Sequence, residues 1–289
     1  MDLSFPLNEG LLSLYRTVTL PGRELLRWRW RRSQRFPLAI LFYHRVADRH
    51  ANPWTISTAD FARHLDWLET HFDIVSLEEV QQRIRRGICP RPTVAITFDD
   101  GYAENCDFAL PELIRRQIPA TYFVATDFVA HGRPFPHDVA AGQPLPPNTI
   151  EQLRELSDSG ITIGAHTRSH CDLGKVGDGK RLDREIVGSK EDLEQWIGRA
   201  VQYFAFPYGR PANVSQAAID RIRSAGYAGF CSAFGAWNWL DADPFHLRRI
   251  HGDPGLERLK NWLTFDPRKL WQAEPDCGNR SRLLAGVAS

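Results

Sequence analysis

Thr93-Val94-Ala95-Ile96-Thr97-Phe98-Asp99-Asp100-Gly101 is the stretch on which the fold of this chain turns. Its first six residues are apolar or β-branched without interruption, as expected of a parallel strand buried on both faces. Two adjacent carboxylates follow at its carboxyl end. Like charges so close raise each other's pKa, and a divalent cation nearby would relieve the repulsion. Gly101 permits the sharp turn that presents both side chains. Taken alone, the pair reads better as a helix N-cap and a turn.

Outward from this strand the same alternation repeats. Further strand candidates are Leu38–Tyr43, Ala120–Ala125, Ile161–Ala165, Val201–Phe206, Tyr227–Ser232 and Leu247–Ile250. Between them lie helix signals. Ser76 and Glu79 form a capping box ahead of Leu77, Val80 and Ile84, and Gly87 stops the run. Phe61, Leu65, Leu68 and Phe72 make a second stripe, while Asn148 and Asn213 are candidate caps for two later helices. This pattern predicts an α/β fold, a distorted (β/α)7-type barrel serving as a single catalytic domain, with functional residues at the strands' carboxyl ends. The barrel is assigned to residues 36–270, after a basic helical N-terminal segment (1–35) and before a C-terminal tail (271–289). His131 to Pro147, holding Pro134, Pro136, Pro144, Pro146 and Pro147, reads as an irregular lid or binding wall.

Bulk properties exclude more than they indicate. The 43% hydrophobic and 25% charged fractions are ordinary for a soluble domain, and a net charge of +1 gives no pull toward nucleic acid. The five cysteines lack any CxxC spacing, against a disulfide framework or thiolate zinc site and in favour of reduced thiols in the cytoplasm. The first residues lack the basic start and apolar run of a signal peptide, and no stretch approaches the roughly 20 apolar residues of a membrane span. A cytoplasmic location is therefore expected. Arg23, Arg27, Arg29, Arg31, Arg32 and Arg35, beside Trp28 and Trp30, read first as a solvated helix on the barrel and second as a peripheral membrane contact.

A second polar cluster answers the first. The strand ending at Ala165 delivers His166 and His170, an i,i+4 pair able to face one metal ion. Two imidazoles and a carboxylate leave coordination positions open for water and a substrate oxygen. A solitary histidine pair is more often structural. With Asp99 and Asp100 at another strand end, the pair reads as ligands.

Thr97-Phe98-Asp99-Asp100-Gly101, His166-Thr167-Arg168-Ser169-His170 and Phe206-Pro207-Tyr208-Gly209 resemble, in order, three signatures of the polysaccharide deacetylase family (carbohydrate esterase family four, the chitooligosaccharide deacetylase homology domain). The resemblance runs from about Phe36 to Leu263. It implies a distorted barrel of about seven βα units, with one divalent ion, zinc by expectation, held by Asp100, His166 and His170. Asp99 would be the general base, and the backbone N–H of Tyr208, set by Pro207, would face the oxyanion. The implied reaction removes an N-acetyl group from an amino sugar in a glycan or a lipid-linked precursor.

The chain departs from the family pattern in two places. The arginine that usually opens the third motif is replaced near Ala205, and Arg249 is the candidate substitute. The usual Leu-x-His is missing, so the general acid falls to His44, in the family-like Tyr43-His44-Arg45-Val46, or to His251. Trp237 is a candidate for stacking on a sugar ring. Trp67, Trp196, Trp262, His50, His64, His71 and His246 read as packing or surface residues. Two other functions fit less well: an amidohydrolase acting on another C–N bond (a deformylase or cyclic amidase), and a dead glycan-binding module, which would need neither ligands nor base. The oligomeric state is not indicated.

Overall fold

In a computed structural model, which describes residues 9–252, 255–266 and 270, the quoted strand forms over Thr93–Phe98 as read. The segment 271–289, read as a tail, lies outside the described residues. In chain order the strands are β1 Leu38–Tyr43, β2 Arg45–Val46, β3 Thr55–Ile56, β4 Asp73–Ile74, β5 Thr93–Phe98, β6 Ala120–Val124, β7 Thr162–Ala165, β8 Tyr203–Ala205, β9 Gly229–Ser232, β10 His246–Arg248 and β11 Ile250–His251. The sheet order is β10-β9-β8-β7-β6-β5-β1-β11, with β4 added beside β5, and every pairing is parallel. β1 and β5 are buried at every position, which accounts for their unbroken apolar sequences.

The two ends of that order belong to one stretch of chain, and this nearly closes the barrel. Residues 246–248 pair with β9 and residues 250–251 with β1. The strand read as Leu247–Ile250 is thus broken at Arg249, whose N–H donates to Ser232 O at 3.1 Å. Asn238 ties the seam: its backbone exchanges both hydrogen bonds with Leu38 at 2.9 Å, and its side chain bonds the N–H and C=O of Arg248. Counting the shared segment once, seven strand positions surround the core, consistent with the (β/α)7 expectation.

The helices are α1 Glu9–Ser33, α2 Thr58–His71, α3 Leu77–Arg86, α4 Ala109–Arg115, α5 Thr126–His131, α6 Pro136–Ala140, α7 Ile150–Asp158, α8 Gly179–Leu182, α9 Gly188–Ile197, α10 Gln216–Ser224 and α11 Leu256–Leu263, with a π turn over Asp183–Val187. Ser76 caps α3, but only half the capping box forms, because the Glu79 carboxylate turns to Arg83 at 2.8 Å. Two expected caps are displaced. Thr149 caps α7 in a full capping box with Gln152, while Asn148 is buried and accepts from the Tyr122 hydroxyl at 2.7 Å. Ser215, not Asn213, caps α10. The lid read as irregular contains α6 and is anchored by buried Asp138, which accepts from the Tyr102 hydroxyl at 2.8 Å.

α1 lies on the barrel against α11. Two residues of its basic stretch are not at the surface: the Arg23 guanidinium is buried on Asn261 and Thr264, and Trp30 packs edge-on against Phe36 and Phe265. Among the described residues, no helix is long and apolar enough to cross a membrane.

Candidate metal centre and active site

The carboxyl ends of β1, β5, β7 and β8 meet at one face, as parallel barrels require. The Asp99 N–H donates to Tyr43 O at 2.9 Å, continuing the β1–β5 ladder one step past the strand. The backbone then turns abruptly: Asp100 has φ 77° and Gly101 φ 94°. Thr167, His170 and Tyr208 also adopt positive φ, at 62°, 55° and 60°. Side-chain-bearing residues seldom do so, and four of the eight such positions among the described residues fall in the three polar loops.

Asp100, His166 and His170 converge, each offering one ligand atom within 4.8 Å of the others. Nε2 of His166 lies 3.5 Å, and Nε2 of His170 3.1 Å, from Asp100 Oδ1. Nδ1 of His166 is 2.8 Å from Ala205 O, which can only accept, so the proton sits on Nδ1 and a bare Nε2 faces the aspartate. Asp100 Oδ1 is buried and has no hydrogen-bond partner among the described residues. An orphaned anionic oxygen beneath two imidazole nitrogens costs free energy unless a cation joins them, so the donor set fits a divalent ion. Burial alone would push the Asp100 carboxyl up; positive charge at the histidine positions, from a protonated His170 and then His166 standing in for an ion, outweighs burial and holds it well below the usual carboxylate range.

The histidine loop is fixed by residues that its motif does not contain. The buried Glu185 carboxylate, on the π turn, accepts from the N–H groups of Arg168 and Ser169 at 3.0 and 2.9 Å and from the Ser169 hydroxyl at 2.8 Å. Arg168 forks onto Asp192 at 2.7 and 2.6 Å. Phe135, from the lid, meets the His170 ring edge-on at 5.5 Å.

Asp99 is gripped separately. Arg249 donates from Nη1 to Oδ1 at 2.6 Å and from Nη2 to Oδ2 at 2.8 Å, a bidentate buried pair. The guanidinium is also held by Thr97 Oγ1 at 3.2 Å and lies 4.7 Å from the centroid of the Phe42 ring. Burial works against ionisation of Asp99, yet Arg249 and then His166 prevail, and its pKa is lowered. The strand break at the barrel seam is what turns Arg249 inward to reach it.

His44 follows β1 and His251 ends β11, with ring centroids 5.7 Å apart. Desolvation pushes His44 down to about 4, more than Asp100 and Asp99 pull it up, so its imidazole is neutral at neutral pH. The Asn105 side chain donates to His44 O at 2.7 Å and fixes the backbone there. Tyr208, after Pro207, is exposed with its ring 5.3 Å from that of His170. Among the described residues no acceptor faces its N–H.

Trp237 is a correction. It is 1% exposed and packs on Phe265, because the seam at Asn238 draws its neighbours inward, so it offers no face to a sugar. The exposed indole near the site is Trp54, 5.4 Å from His44. The sequence held no spacing signal for it, since Trp54 stands in a short loop before β3.

This arrangement defines a class: a barrel hydrolase with its carboxylates and histidines at the strand ends. The chain belongs to the polysaccharide deacetylase family, whose profile matches residues 87–230. It is 26% identical over 232 residues to a poly-beta-1,6-N-acetyl-D-glucosamine N-deacetylase of Staphylococcus epidermidis, covering 75% of each chain. Two solved structures share the fold. The Streptococcus pyogenes deacetylase PplD in complex with acetate matches with a TM-score of 0.67 at 21% identity, over 79% of this chain and 99% of that one. IcaB from Ammonifex degensii matches with a TM-score of 0.65 at 24% identity, over 79% and 97%.

Proposed function

We propose that this deacetylase is metal-dependent and removes N-acetyl groups from amino sugars of a glycan or glycan precursor, poly-N-acetylglucosamine being the leading substrate class. The observation that carries this reading is the convergence of Asp100, His166 and His170 beside an aspartate that a buried arginine holds ionised. The name of the Staphylococcus epidermidis relative supports the substrate class.

Asp100, His166 and His170 would hold a divalent ion, zinc by the nitrogen-rich donor set, and the chemistry it would supply is Lewis acidity toward the acyl carbonyl and the attacking water. Asp99 accepts the proton of the attacking water. Arg249 occupies one lone-pair direction on each Asp99 oxygen, so it fixes the carboxylate plane while leaving acceptor capacity for that proton. The Tyr208 N–H, held in a strained turn, donates to the oxygen on which negative charge grows as the carbonyl becomes tetrahedral. The departing amine requires a proton, and the His44–His251 pair stands where one could be passed to it; His44, neutral in the resting site, would have to take up a proton before giving one up. Trp54 and Tyr208 give a sugar ring apolar faces beside His44 and His170.

Incubating the zinc-loaded protein with N-acetylglucosamine oligomers, and with N-formyl oligomers and a cyclic amide as competitors, tests the reading. Acetate release well above formate release supports it. Turnover of only the formyl or cyclic substrate would assign the site to another C–N bond.

A further inference from the structure

The outward face of α1 has no role in the chemistry above, yet its sequence is ordered. Leu11, Leu14, Val18, Leu25 and Trp28 are between 55% and 69% exposed. With exposed Pro21 they follow one another at steps of three and four, which on a helix makes a single stripe along about 26 Å. The residues that meet the barrel, Leu12, Arg23 and Trp30, lie on the opposite face. Exposed apolar side chains are unremarkable singly, but a continuous stripe marks a contact surface.

Charge selects the occupant. The stripe carries no ionisable side chain between Leu11 and Trp28, and at its C-terminal end it runs into exposed Arg29, Arg31, Arg32 and Arg35. Arg32 lies 5.2 Å from the centroid of the Trp28 ring, and no carboxylate pairs with Arg29, Arg31 or Arg32 among the described residues. Two copies meeting parallel along this stripe would set these arginines against each other. Meeting antiparallel, they would find only Glu9 and Glu24 in the facing helix. An apolar strip with unpaired arginines at one end instead matches the acyl boundary and headgroups of an anionic bilayer.

We propose that α1 is an interfacial docking helix, inserting Leu11, Leu14, Val18, Leu25 and Trp28 into an anionic phospholipid surface while Arg29, Arg31 and Arg32 contact its headgroups. The barrel would then be held at that surface through α1. Co-sedimentation of the full chain with phosphatidylcholine vesicles, with and without phosphatidylglycerol, tests this. Binding should require phosphatidylglycerol and weaken at high salt. It should fall at least about tenfold in Leu14→Asp/Val18→Asp, and likewise in Arg29→Ser/Arg31→Ser/Arg32→Ser. Circular dichroism melts of the variants, which alter only exposed positions, establish that they are folded. No binding to phosphatidylglycerol vesicles, binding that both variants retain, or a stable dimer in solution that Leu14→Asp/Val18→Asp dissociates would overturn the proposal.

Discussion

Replacing Arg249 with methionine tests the logic of the site most searchingly. The guanidinium is wholly buried and makes two charge-assisted bonds to Asp99, at 2.6 and 2.8 Å, plus one to Thr97. Removing one partner of a buried pair leaves an uncompensated charge and costs about 3–5 kcal/mol. The pH dependence is more diagnostic than the size. In the wild type Asp99 is depressed, so its contribution is present above the ordinary carboxylate range and is lost as pH falls through its folded pKa. Without Arg249, burial dominates and the carboxyl is raised. Its protonated form is then favoured in the fold, and the variant is penalised increasingly as pH rises through the new pKa. Urea denaturation across pH should therefore give a stability difference that shrinks on acidification, and the acid limb of the kcat profile should move to higher pH. Asp99→Asn in the Arg249→Met background should recover part of the loss, because the two residues couple. A stability difference independent of pH, with the acid limb unmoved, would refute the assignment of Arg249 to Asp99.

Asp99→Asn alone should keep its metal content and lose about a hundred- to ten-thousandfold in turnover, checked by elemental analysis beside acetate release. His44→Ala should retain metal and fold yet lose more turnover than His251→Ala; the reverse ranking would move the acid role to His251. Gly164→Ala should destabilise by about 1–3 kcal/mol in urea titration, since a Cβ there would lie 2.4 Å from Phe123 Cδ1 and 3.2 Å from Tyr203 O in the packed barrel wall.

Where burial is two-sided, sequence and structure agree to the residue, as in Leu38–Tyr43 and Thr93–Phe98. Strands that rest on a few hydrogen bonds, such as Arg45–Val46, Thr55–Ile56 and Asp73–Ile74, leave no periodicity to read. The Asp100, His166 and His170 cluster was legible because its residues sit in short runs at strand ends. Arg249 was legible as the candidate substitute for the missing arginine of the third motif; the closure geometry that breaks its strand and turns it inward is a property of the whole ring. Glu185 and Asp192 act on the histidine loop from an element brought near by folding, with no spacing to announce them. Trp237, expected at a sugar, is buried, and Trp54, for which the sequence held no signal, is exposed near the site for the same reason: indole exposure is decided by tertiary packing.

The central claim is that Asp100, His166 and His170 hold an ion on which deacetylation depends. Acetate release from N-acetylglucosamine oligomers should be measured on the chelator-stripped protein, on that protein reloaded with zinc, and on His166→Ala treated identically, with bound metal quantified in each. The account predicts release only from the reloaded wild type, with about one ion per chain, and loss of both metal and activity in His166→Ala. Undiminished release from the stripped protein, or full metal and turnover in His166→Ala, would contradict it.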